Sequence, residues 1–198
     1  MTLAGTPGQP AKRSRRADAE RNRAAIMEAA AAVFAELGAT VDVREIARRS
    51  GVGMGTLYRH FPTKDDLLAT VLEQQFTAWL TDAHQQATST ADPWQALTGF
   101  FEQLLTTQAG NRALVESYAA TGGPTNSCVL RCHSFIDDLR IRCQNAGLLR
   151  PGVTTDDLVL LSSSLSQTVQ LTGDTDQWRR LLRISLDGLR SRNTEPLP

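Results

Sequence analysis

The chain has 198 residues, of which 41% are hydrophobic and 6% aromatic, and its 21 basic and 21 acidic residues give a formal net charge of zero. This length suits one or two helical domains with a substantial core, and the composition disfavours an aromatic-rich β-sandwich. No stretch approaches about 18 uninterrupted apolar residues, which excludes a membrane-spanning helix.

The charge is unevenly distributed along the chain. Residues 1–64 carry 11 basic and 6 acidic side chains, whereas the remaining residues carry 10 and 15. This asymmetry predicts that the N-terminal portion binds an anionic partner, either nucleic acid or a membrane surface. Charged residues from Asp18 onward interrupt any secretory signal, and three irregularly spaced cysteines fit a reducing compartment. We therefore expect a cytoplasmic protein.

The first residues mix glycine, proline and basic side chains and offer little to bury. We expect residues 1–17 to form a disordered basic arm. Its basic run, Lys12 to Arg16, is typical of a mobile tail that adds unspecific attraction to phosphates. The alternative is an arm that enters a minor groove.

Three closely spaced helices are predicted after this arm. Apolar residues at helical spacing indicate a first helix over residues 18–37. Asp42 and Glu45 have the spacing of a capping box, which opens a second helix over residues 43–50. A short third helix follows over residues 54–60 and ends before a proline.

The rest of the chain is also predicted to be helical. Thr63 and Asp66 form a second capping box, which opens a long helix that fades near Gln86. The sequence contains no pattern typical of a β-strand. Glycine-containing breaks separate further helices at about residues 92–109, 111–121, 125–146, 154–172 and 175–191.

The stretch GVGMGTLYRH, residues 51–60, contains three glycines that raise the question of a phosphate cradle for a nucleotide. Such a loop requires a preceding β-strand and G-x-G-x-x-G or G-x-x-x-x-G-K-[ST] spacing. Here the glycines follow a helix, and their spacing is G-x-G-x-G. A helix, a glycine-containing turn and a short outward-facing helix together indicate a helix-turn-helix.

The short third helix carries groups suited to a DNA groove. Gly53 and Gly55 permit close backbone approach, and Lys64 combines its ammonium group with the N–H groups of a helix start. Leu57 and Phe61 are expected to anchor the helix from its other face. The predicted DNA-binding residues are Arg44, Gly53, Met54, Gly55, Thr56, Tyr58, Arg59, His60 and Lys64.

The segment VREIARRSGVGMGTLYRHFPTKDDLLATVL closely resembles the DNA-binding domain of the TetR family of bacterial transcriptional regulators. The resemblance covers roughly residues 20–72. The family's ordered pattern is present as Ile46-Ala47, Gly51-Val52, Gly55-Thr56-Leu57-Tyr58, Phe61 and Lys64. It implies an all-helical homodimer whose variable C-terminal domain binds a small effector and releases double-stranded DNA.

One position departs from that pattern. The family often has Thr or Ser contacting phosphate at the start of its second helix, but this chain has Val41-Asp42-Val43, and Thr40 is only a partial substitute. In the second half, the stretches LTGFFEQLLTTQ and WRRLLRISLDGLR look like the SbtR-type C-terminal domain of some actinobacterial members.

The second half offers candidates for effector binding and dimerisation. Aromatic residues at helical spacing usually form core, but some can line a pocket; the candidates are Trp79, Phe100, Leu104, Tyr118, Phe135 and Gln167. The serine-rich stretch 161–167 and the apolar last helix suggest a four-helix interface between two subunits. Its candidates are Leu161, Leu165, Trp178, Leu182, Ser185 and Leu189.

The three cysteines lie on one face of a predicted helix. Cys128, Cys132 and Cys143 share that face with apolar residues, so core packing is favoured over a metal or redox site. We expect no metal and no cofactor.

Together these patterns predict an all-α chain. Residues 18–64 form an N-terminal three-helix helix-turn-helix DNA-binding domain, and residues 65–198 form a C-terminal helical bundle for dimerisation and effector binding. The predicted function is an effector-released repressor that binds a palindromic operator as a homodimer, and an activator of the same fold is the alternative.

Catalytic signatures such as G-x-S-x-G are absent from the sequence, so we expect no enzyme. A non-DNA helical module on a membrane or protein surface is a further rival, which steep salt dependence with preference for a palindrome would exclude.

Overall fold

The computed structural model of the protein describes residues 10–110, 126–172 and 175–197, and within these ranges the chain forms eight α-helices. None of these helices is both long enough and apolar enough to cross a membrane. In chain order they are α1 (Pro10–Leu37), α2 (Val43–Ser50), α3 (Met54–His60), α4 (Lys64–Ser89), α5 (Pro93–Gly110), α6 (Asn126–Asn145), α7 (Thr155–Thr172) and α8 (Thr175–Gly188). The predicted all-α fold class is confirmed.

The chain divides into two compact units, Met1–Leu72 and Glu73–Pro198, which we call the N-terminal and C-terminal units. Helix α4 contributes residues to both of them. The division therefore falls inside α4, further along the chain than the domain boundary predicted after residue 64.

Helix α1 begins earlier than the sequence analysis predicted. Residues 10–17 belong to its first turns, so the predicted disordered arm is wrong for these residues, and residues 1–9 lie outside the described ranges. Pro10 suits a first helical position because its missing N–H would have no acceptor there. The Ala, Lys and Arg residues that follow are good helix formers. The prediction of a disordered arm considered only how little these residues could bury, and not their helix propensity.

The N-terminal unit has a small apolar core to which α1, α2, α3 and α4 all contribute. Arg49 of α2 forms an ion pair with Glu36 of α1, with 2.7 Å between Nη1 and Oε2. The Arg23 guanidinium lies 5.0 Å from the centre of the Phe61 ring. The first contact joins α2 to α1, and the second joins α1 to the residue that ends α3. The buried residues include Ile26, Ala30, Val33, Phe34, Val43, Ile46, Leu57, Phe61, Leu67 and Val71.

The start of α2 differs in one detail from the predicted capping box. Asp42 Oδ1 accepts a hydrogen bond from the Arg44 N–H at 2.8 Å, as a helix cap should. Glu45 does not reach back to complete the box. Its carboxylate instead binds Arg48 and Arg49, because two cations one turn along the helix are stronger partners than a neutral backbone N–H.

Two other helices begin with a reciprocal capping box. At α4, the Asp66 N–H donates to Thr63 Oγ1 at 3.0 Å and the Thr63 N–H donates to Asp66 Oδ2 at 3.2 Å, which confirms the prediction. The same arrangement opens α7, where Thr154 and Asp157 exchange bonds of 2.8 and 3.2 Å. This second case was not predicted, although its Thr-x-x-Asp spacing is present in the sequence.

In the C-terminal unit, the later part of α4 and helices α5 to α8 surround a continuous apolar core. Arg142 of α6 caps the end of α4 by donating to the carbonyl oxygens of Ala87 and Thr90 at 3.1 and 3.3 Å. The helix predicted at residues 111–121 lies outside the described ranges. The largest fully buried side chains of this unit are Leu97, Phe101, Leu105, Ile136, Leu139, Leu149 and Trp178.

Helix α8 ends at Gly188, a few residues before the predicted end near residue 191. Beyond it, the backbone turns and pairs with the segment that follows α6. The Arg150 N–H donates to the Leu189 carbonyl at 3.0 Å, and an isolated antiparallel bridge joins Leu149 to Arg190. This pairing satisfies backbone groups that a longer helix would have used, and helical periodicity alone could not predict it.

Candidate nucleic-acid interface

Helices α2 and α3 are joined by a short turn whose backbone depends on glycine. Gly51 ends α2 in the left-handed region, at φ 68° and ψ 14°, which other residues rarely adopt. Gly53 precedes α3 with an extended backbone, and the Phe61 N–H closes α3 by donating to the Leu57 carbonyl at 2.9 Å. The helices on either side of the turn have the bounds that the helix-turn-helix prediction gave them.

Helix α3 has one buried and one exposed face. Leu57 and Phe61 are almost completely buried in the N-terminal unit, as predicted for anchors. On the other face Tyr58 exposes 47% of its surface, Arg59 is exposed and Thr56 is half-buried. The helix thus presents hydroxyl and cationic groups outward while its apolar side holds it in place.

Two kinds of arginine occur on and near this surface. Arg48 and Arg49 are both bound to Glu45, at donor-to-acceptor distances of 2.7 to 2.8 Å. Arg44 and Arg59 are exposed, and their side chains make no hydrogen bond or ion pair with any residue that the structure describes. Their guanidinium groups therefore keep all their donors for a phosphate or a guanine edge.

The other predicted side chains lie at the two ends of α3. Met54 is its first residue and His60 its last, and both are half-buried. Lys64 is the first residue of α4 and is also half-buried. All nine predicted DNA-binding residues thus belong to one continuous part of the N-terminal unit, from α2 to the start of α4.

The pKa of Glu45 is lowered to about 2, mainly by the hydrogen bonds from Arg48 and Arg49. The carboxylate is therefore ionised at neutral pH and offsets the charge of those two arginines. Positive charge available to an external partner on this surface comes chiefly from Arg44, Arg59 and the partly exposed Lys64.

Gly53 and Gly55 leave open space beside α3. A Cβ atom added at either position would meet no heavy atom within 4 Å, and neither residue has a positive φ. Packing within the described chain therefore does not require glycine at these positions, in contrast to the left-handed Gly51. Open space in front of the helix is what close approach of another backbone needs.

Part of the predicted effector region forms an aromatic cluster in the C-terminal unit. Phe100 and Phe135 contact edge to face with ring centres 5.1 Å apart, and the Trp79 ring lies 5.6 Å from that of Phe100. Leu104 packs half-buried against the same core. The Trp79 indole Nε1 is buried and has no hydrogen-bond partner among the described residues.

The remaining effector candidates are Gln167 and Tyr118. Gln167 is exposed, and Tyr118 lies outside the described ranges. The sequence analysis missed Phe76 and His84, whose rings lie 5.8 and 5.1 Å from two of the predicted aromatic rings. Spacing along α4 gave only a partial signal, because Phe76 lies about 60° from Trp79 and about 80° from His84 around the helix axis.

Two known protein families together match most of the chain. Residues 26–71 match the family described as bacterial regulatory proteins, tetR family, and residues 92–191 match the SbtR-like transcriptional regulator C-terminal domain. The chain belongs to the TetR family of bacterial transcriptional regulators. This membership confirms the resemblance noted in both halves of the sequence, and it confirms that the chain is a regulator and not an enzyme.

Individual relatives agree with this TetR assignment. The chain is 33% identical over 106 residues to an HTH-type transcriptional regulator of Staphylococcus aureus strain USA300, covering 53% of this chain and 57% of the relative. It is 38% identical over 98 residues to the HTH-type transcriptional repressor KstR2 of Mycolicibacterium smegmatis, covering 48% and 43%. The chain thus spans about half the length of these curated relatives.

Solved structures match over more of the chain. A TetR transcription regulatory protein from Mycobacterium vanbaalenii is 32% identical, with 88% of this chain and 98% of that chain covered and a TM-score of 0.63. The TetR transcriptional regulator SCO0520 from Streptomyces coelicolor is 28% identical, with 85% and 98% covered and a TM-score of 0.62.

The predicted dimer residues of this TetR-family chain need correction. Leu165, Trp178 and Leu182 are buried within the C-terminal unit itself, and Trp178 is only 1% exposed. Side chains already buried in one subunit have no apolar surface left for a second. The other three predicted residues are half-buried: Leu161, Ser185 and Leu189.

Exposed apolar side chains lie on the sides of α7 and α8 that face away from the core of the C-terminal unit. We call these sides the outward faces. On α7, Leu160 is 65% and Leu171 is 86% exposed, and Gln167 lies on the same side. At about 100° per residue these three fall within roughly 40° of one another around the helix axis. On α8, Leu181 and Ile184 are exposed.

The cysteines follow the predicted core packing where they are described. Cys143 is fully buried, its thiol donates to the Pro93 carbonyl at 3.0 Å, and burial raises its pKa to about 11. Such a thiol is unreactive at neutral pH. Cys132 is half-buried, and the side chain of Cys128 lies outside the described ranges. No group of three or more His, Cys, Asp or Glu side chains among the described residues is arranged to hold a metal ion.

Proposed function

We propose that this TetR-family regulator is a repressor that binds a palindromic operator as a homodimer and leaves it when a small effector binds. The observation that carries the proposal is the outward face of α3, which is anchored from beneath by Leu57 and Phe61. The relative KstR2, which is named a repressor, supports the direction of regulation. Because bacterial DNA lies in the cytoplasm, a cytoplasmic location stays our expectation.

In this proposal α3 enters the major groove of the operator. Thr56 and Tyr58 donate hydrogen bonds from their hydroxyl groups to phosphate oxygens and set the register of the protein on the duplex. The exposed guanidinium groups of Arg44 and Arg59, which have no partner among the described residues, bind a guanine edge or a phosphate. Lys64 binds a phosphate at the start of α4. Two copies related by a two-fold axis require inverted half-sites about 34–36 Å, or a multiple, apart.

The outward faces of α7 and α8 are the proposed dimer interface. Leu160, Leu171 and Ile184 are large apolar side chains that one subunit leaves in water. Serines between them on α7 let a second helix approach closely. Pairing the two faces with those of a second copy would bury these side chains in a four-helix arrangement.

The aromatic cluster is the proposed site of the effector. Its rings offer apolar contacts, and the buried Trp79 N–H has no acceptor among the described residues. A buried N–H without an acceptor costs about 1–3 kcal/mol. A ligand with a flat apolar body and one carbonyl or hydroxyl oxygen would supply that acceptor. Helix α4 carries Trp79 and also belongs to the N-terminal unit, so a shift of α4 would move the DNA-binding helices. This releases DNA only if the ligand favours the shifted state.

The DNA-binding part is tested by substituting cations of different type. Lys64→Ala removes a phosphate contact and should weaken binding to matched and scrambled operators alike, whereas Arg44→Ala should also reduce the preference for the matched sequence. Arg48→Ala is the matched control, because Arg48 is bound to Glu45. A gel-shift series measures all three. Equal specificity ratios for Lys64→Ala and Arg44→Ala would reject the assigned roles, and a large loss in Arg48→Ala would reject the distinction between paired and unpaired arginines.

Repressor and activator are separated by a reporter assay. A promoter that carries the selected operator should give higher expression in cells that lack the protein than in cells that contain it. Lower expression in its absence would identify an activator of the same fold.

A further inference from the structure

A groove runs between α5 and α8 in the C-terminal unit, and no residue of the aromatic cluster lines it. Its volume is about 340 Å³, within the range of roughly 300–1,000 Å³ that is usual for small-molecule sites. Trp94 of α5 and Leu182 and Leu186 of α8 line it and are buried, so they form an apolar floor. The groove therefore has a small apolar floor beneath a polar rim.

Three arginines surround this floor. The Arg190 guanidinium lies over the Trp94 ring, with its central carbon 4.3 Å from the ring centre. Stacking of this kind uses the face of the guanidinium and leaves the in-plane N–H donors at its edge for another partner. Arg183 is exposed and forms no ion pair with a described residue, and Arg179 completes the rim.

Two carboxylates also line the groove and offset part of the charge of its three arginines. Glu102 forms an ion pair with Arg179, with 3.9 Å between Oε1 and Nε. Asp187 is bound by Arg192, whose hydrogen bond holds the pKa of Asp187 below its usual value. Arg192 does not line the groove, and Arg190 also forms an ion pair with Asp187, with 3.7 Å between Nε and Oδ1. The rim therefore keeps a net positive charge.

We propose that this groove binds a small organic anion with a flat apolar body, such as an aromatic carboxylate. The ring would lie on the two leucines beside Trp94, whose ring Arg190 covers, and the carboxylate would accept hydrogen bonds from Arg183 and Arg190, whose planar groups match carboxylate geometry. On α8 the groove side lies roughly 150° around the axis from the outward face. A dimer formed through the outward faces would leave this side of α8 uncovered.

The test follows the indole N–H resonances of the full-length protein by nitrogen-15 NMR during titration with naphthoate. The chain has three tryptophans, and single Trp→Phe variants assign their signals. The Trp94 signal should shift to saturation, and the neutral analogue naphthamide should bind about tenfold more weakly, because it lacks the charge that strengthens hydrogen bonds to arginine. This site does not rest on the repressor proposal, since binding is read without DNA.

Arg183→Gln and Arg180→Gln form a matched pair of variants. Both remove one positive charge from α8 at an exposed position, but only Arg183 lines the groove. Arg183→Gln should weaken naphthoate binding about tenfold, a loss of one charge-assisted pair, while Arg180→Gln should stay within about twofold. The proposal is overturned if the Trp94 signal does not shift, if naphthamide binds equally well, or if both variants lose affinity equally. A shift of Trp79 without Trp94 would also overturn it, because the anion would then occupy the aromatic cluster.

Discussion

Gly51 and Gly55 lie four residues apart and are glycine for different physical reasons. Gly51 has a left-handed backbone, so any side chain there strains the turn between α2 and α3. Gly55 lies inside α3 with no positive φ and with open space where a Cβ would go. The first glycine serves the fold, and our proposal attributes the second to the close approach of DNA.

Gly55→Ala should therefore separate stability from DNA binding. The free energy of unfolding should stay constant or rise by up to about 1 kcal/mol, because alanine is the better helix former. Operator affinity should fall, because the new methyl group occupies space needed by the DNA backbone. Thermal unfolding and gel shifts measure the two effects.

Gly51→Ala is the control for this prediction. It should lower the free energy of unfolding by about 1–2 kcal/mol through backbone strain. If Gly55→Ala binds the operator as well as the original chain does, the open space beside α3 is not part of the interface.

The residue type alone does not show which arginines of this surface are bound to a carboxylate and which are available to DNA. Arg44, Arg48, Arg49 and Arg59 all occur in the helix-turn-helix segment, and the sequence analysis chose Arg44 and Arg59 by position. Which guanidinium groups remain unpaired depends on where Glu45 and Glu36 point in the folded unit. The two pairs with Glu45 lie within α2 at spacings of three and four residues, which the sequence shows, whereas the Arg49–Glu36 pair between two helices depends on tertiary packing.

Among the helices, α2 and α3 begin and end at the predicted residues because their signals are local. Asp42 caps the first, Gly51 ends it, and Pro62 follows the second closely. The start of α1 and the end of α8 were predicted less well. Those ends depend on helix propensity in a basic segment and on pairing of Arg190 with Leu149, which is distant in sequence.

Helix α2 also provides a pH prediction. The pKa of Glu45 is lowered from 4.5 to about 2 in the folded chain, so its stabilising effect is present above pH 4.5 and is lost as the pH falls towards 2. The melting temperature of the original chain should exceed that of Glu45→Gln at neutral pH, and the difference should shrink over this acidic range. A difference that stays constant down to pH 2 would contradict the assigned ion pairs.

Helices α7 and α8 show what periodicity leaves open. Each carries two apolar stripes on opposite sides, one of which faces the core of its own unit. The sequence analysis assigned Leu165, Trp178 and Leu182 to the dimer, but these fill that core, and the outward stripe contains Leu160 and Ile184 instead. An amphipathic pattern shows that a stripe is buried, but it does not identify the partner.

Charges on the outward faces should therefore prevent dimerisation. The double variant Leu160→Glu and Ile184→Glu places carboxylates where two subunits would bury apolar surface, and it should sediment as a folded monomer. Leu130→Glu is the control, because Leu130 is an exposed leucine on α6 outside these faces. A double variant that remains dimeric, or a control that dissociates equally, would rule out the proposed interface.

At the scale of the whole molecule, a chain with no net charge combines a positively charged first part with a negatively charged remainder. The structure divides the chain into two units along α4, and the family matches assign a regulator's DNA-binding domain to one and an SbtR-like domain to the other. Composition and motif order were enough to predict this organisation. The choice of effector was not predictable, because it depends on how side chains distant in sequence meet.

The most direct measurement is selection of duplexes from a random pool by the purified full-length chain, followed by sequencing of the enriched fragments. The account predicts two inverted half-sites whose centres are about 34–36 Å, or a multiple of that distance, apart. No enrichment at low ionic strength, or an enriched sequence without two-fold symmetry, would contradict it.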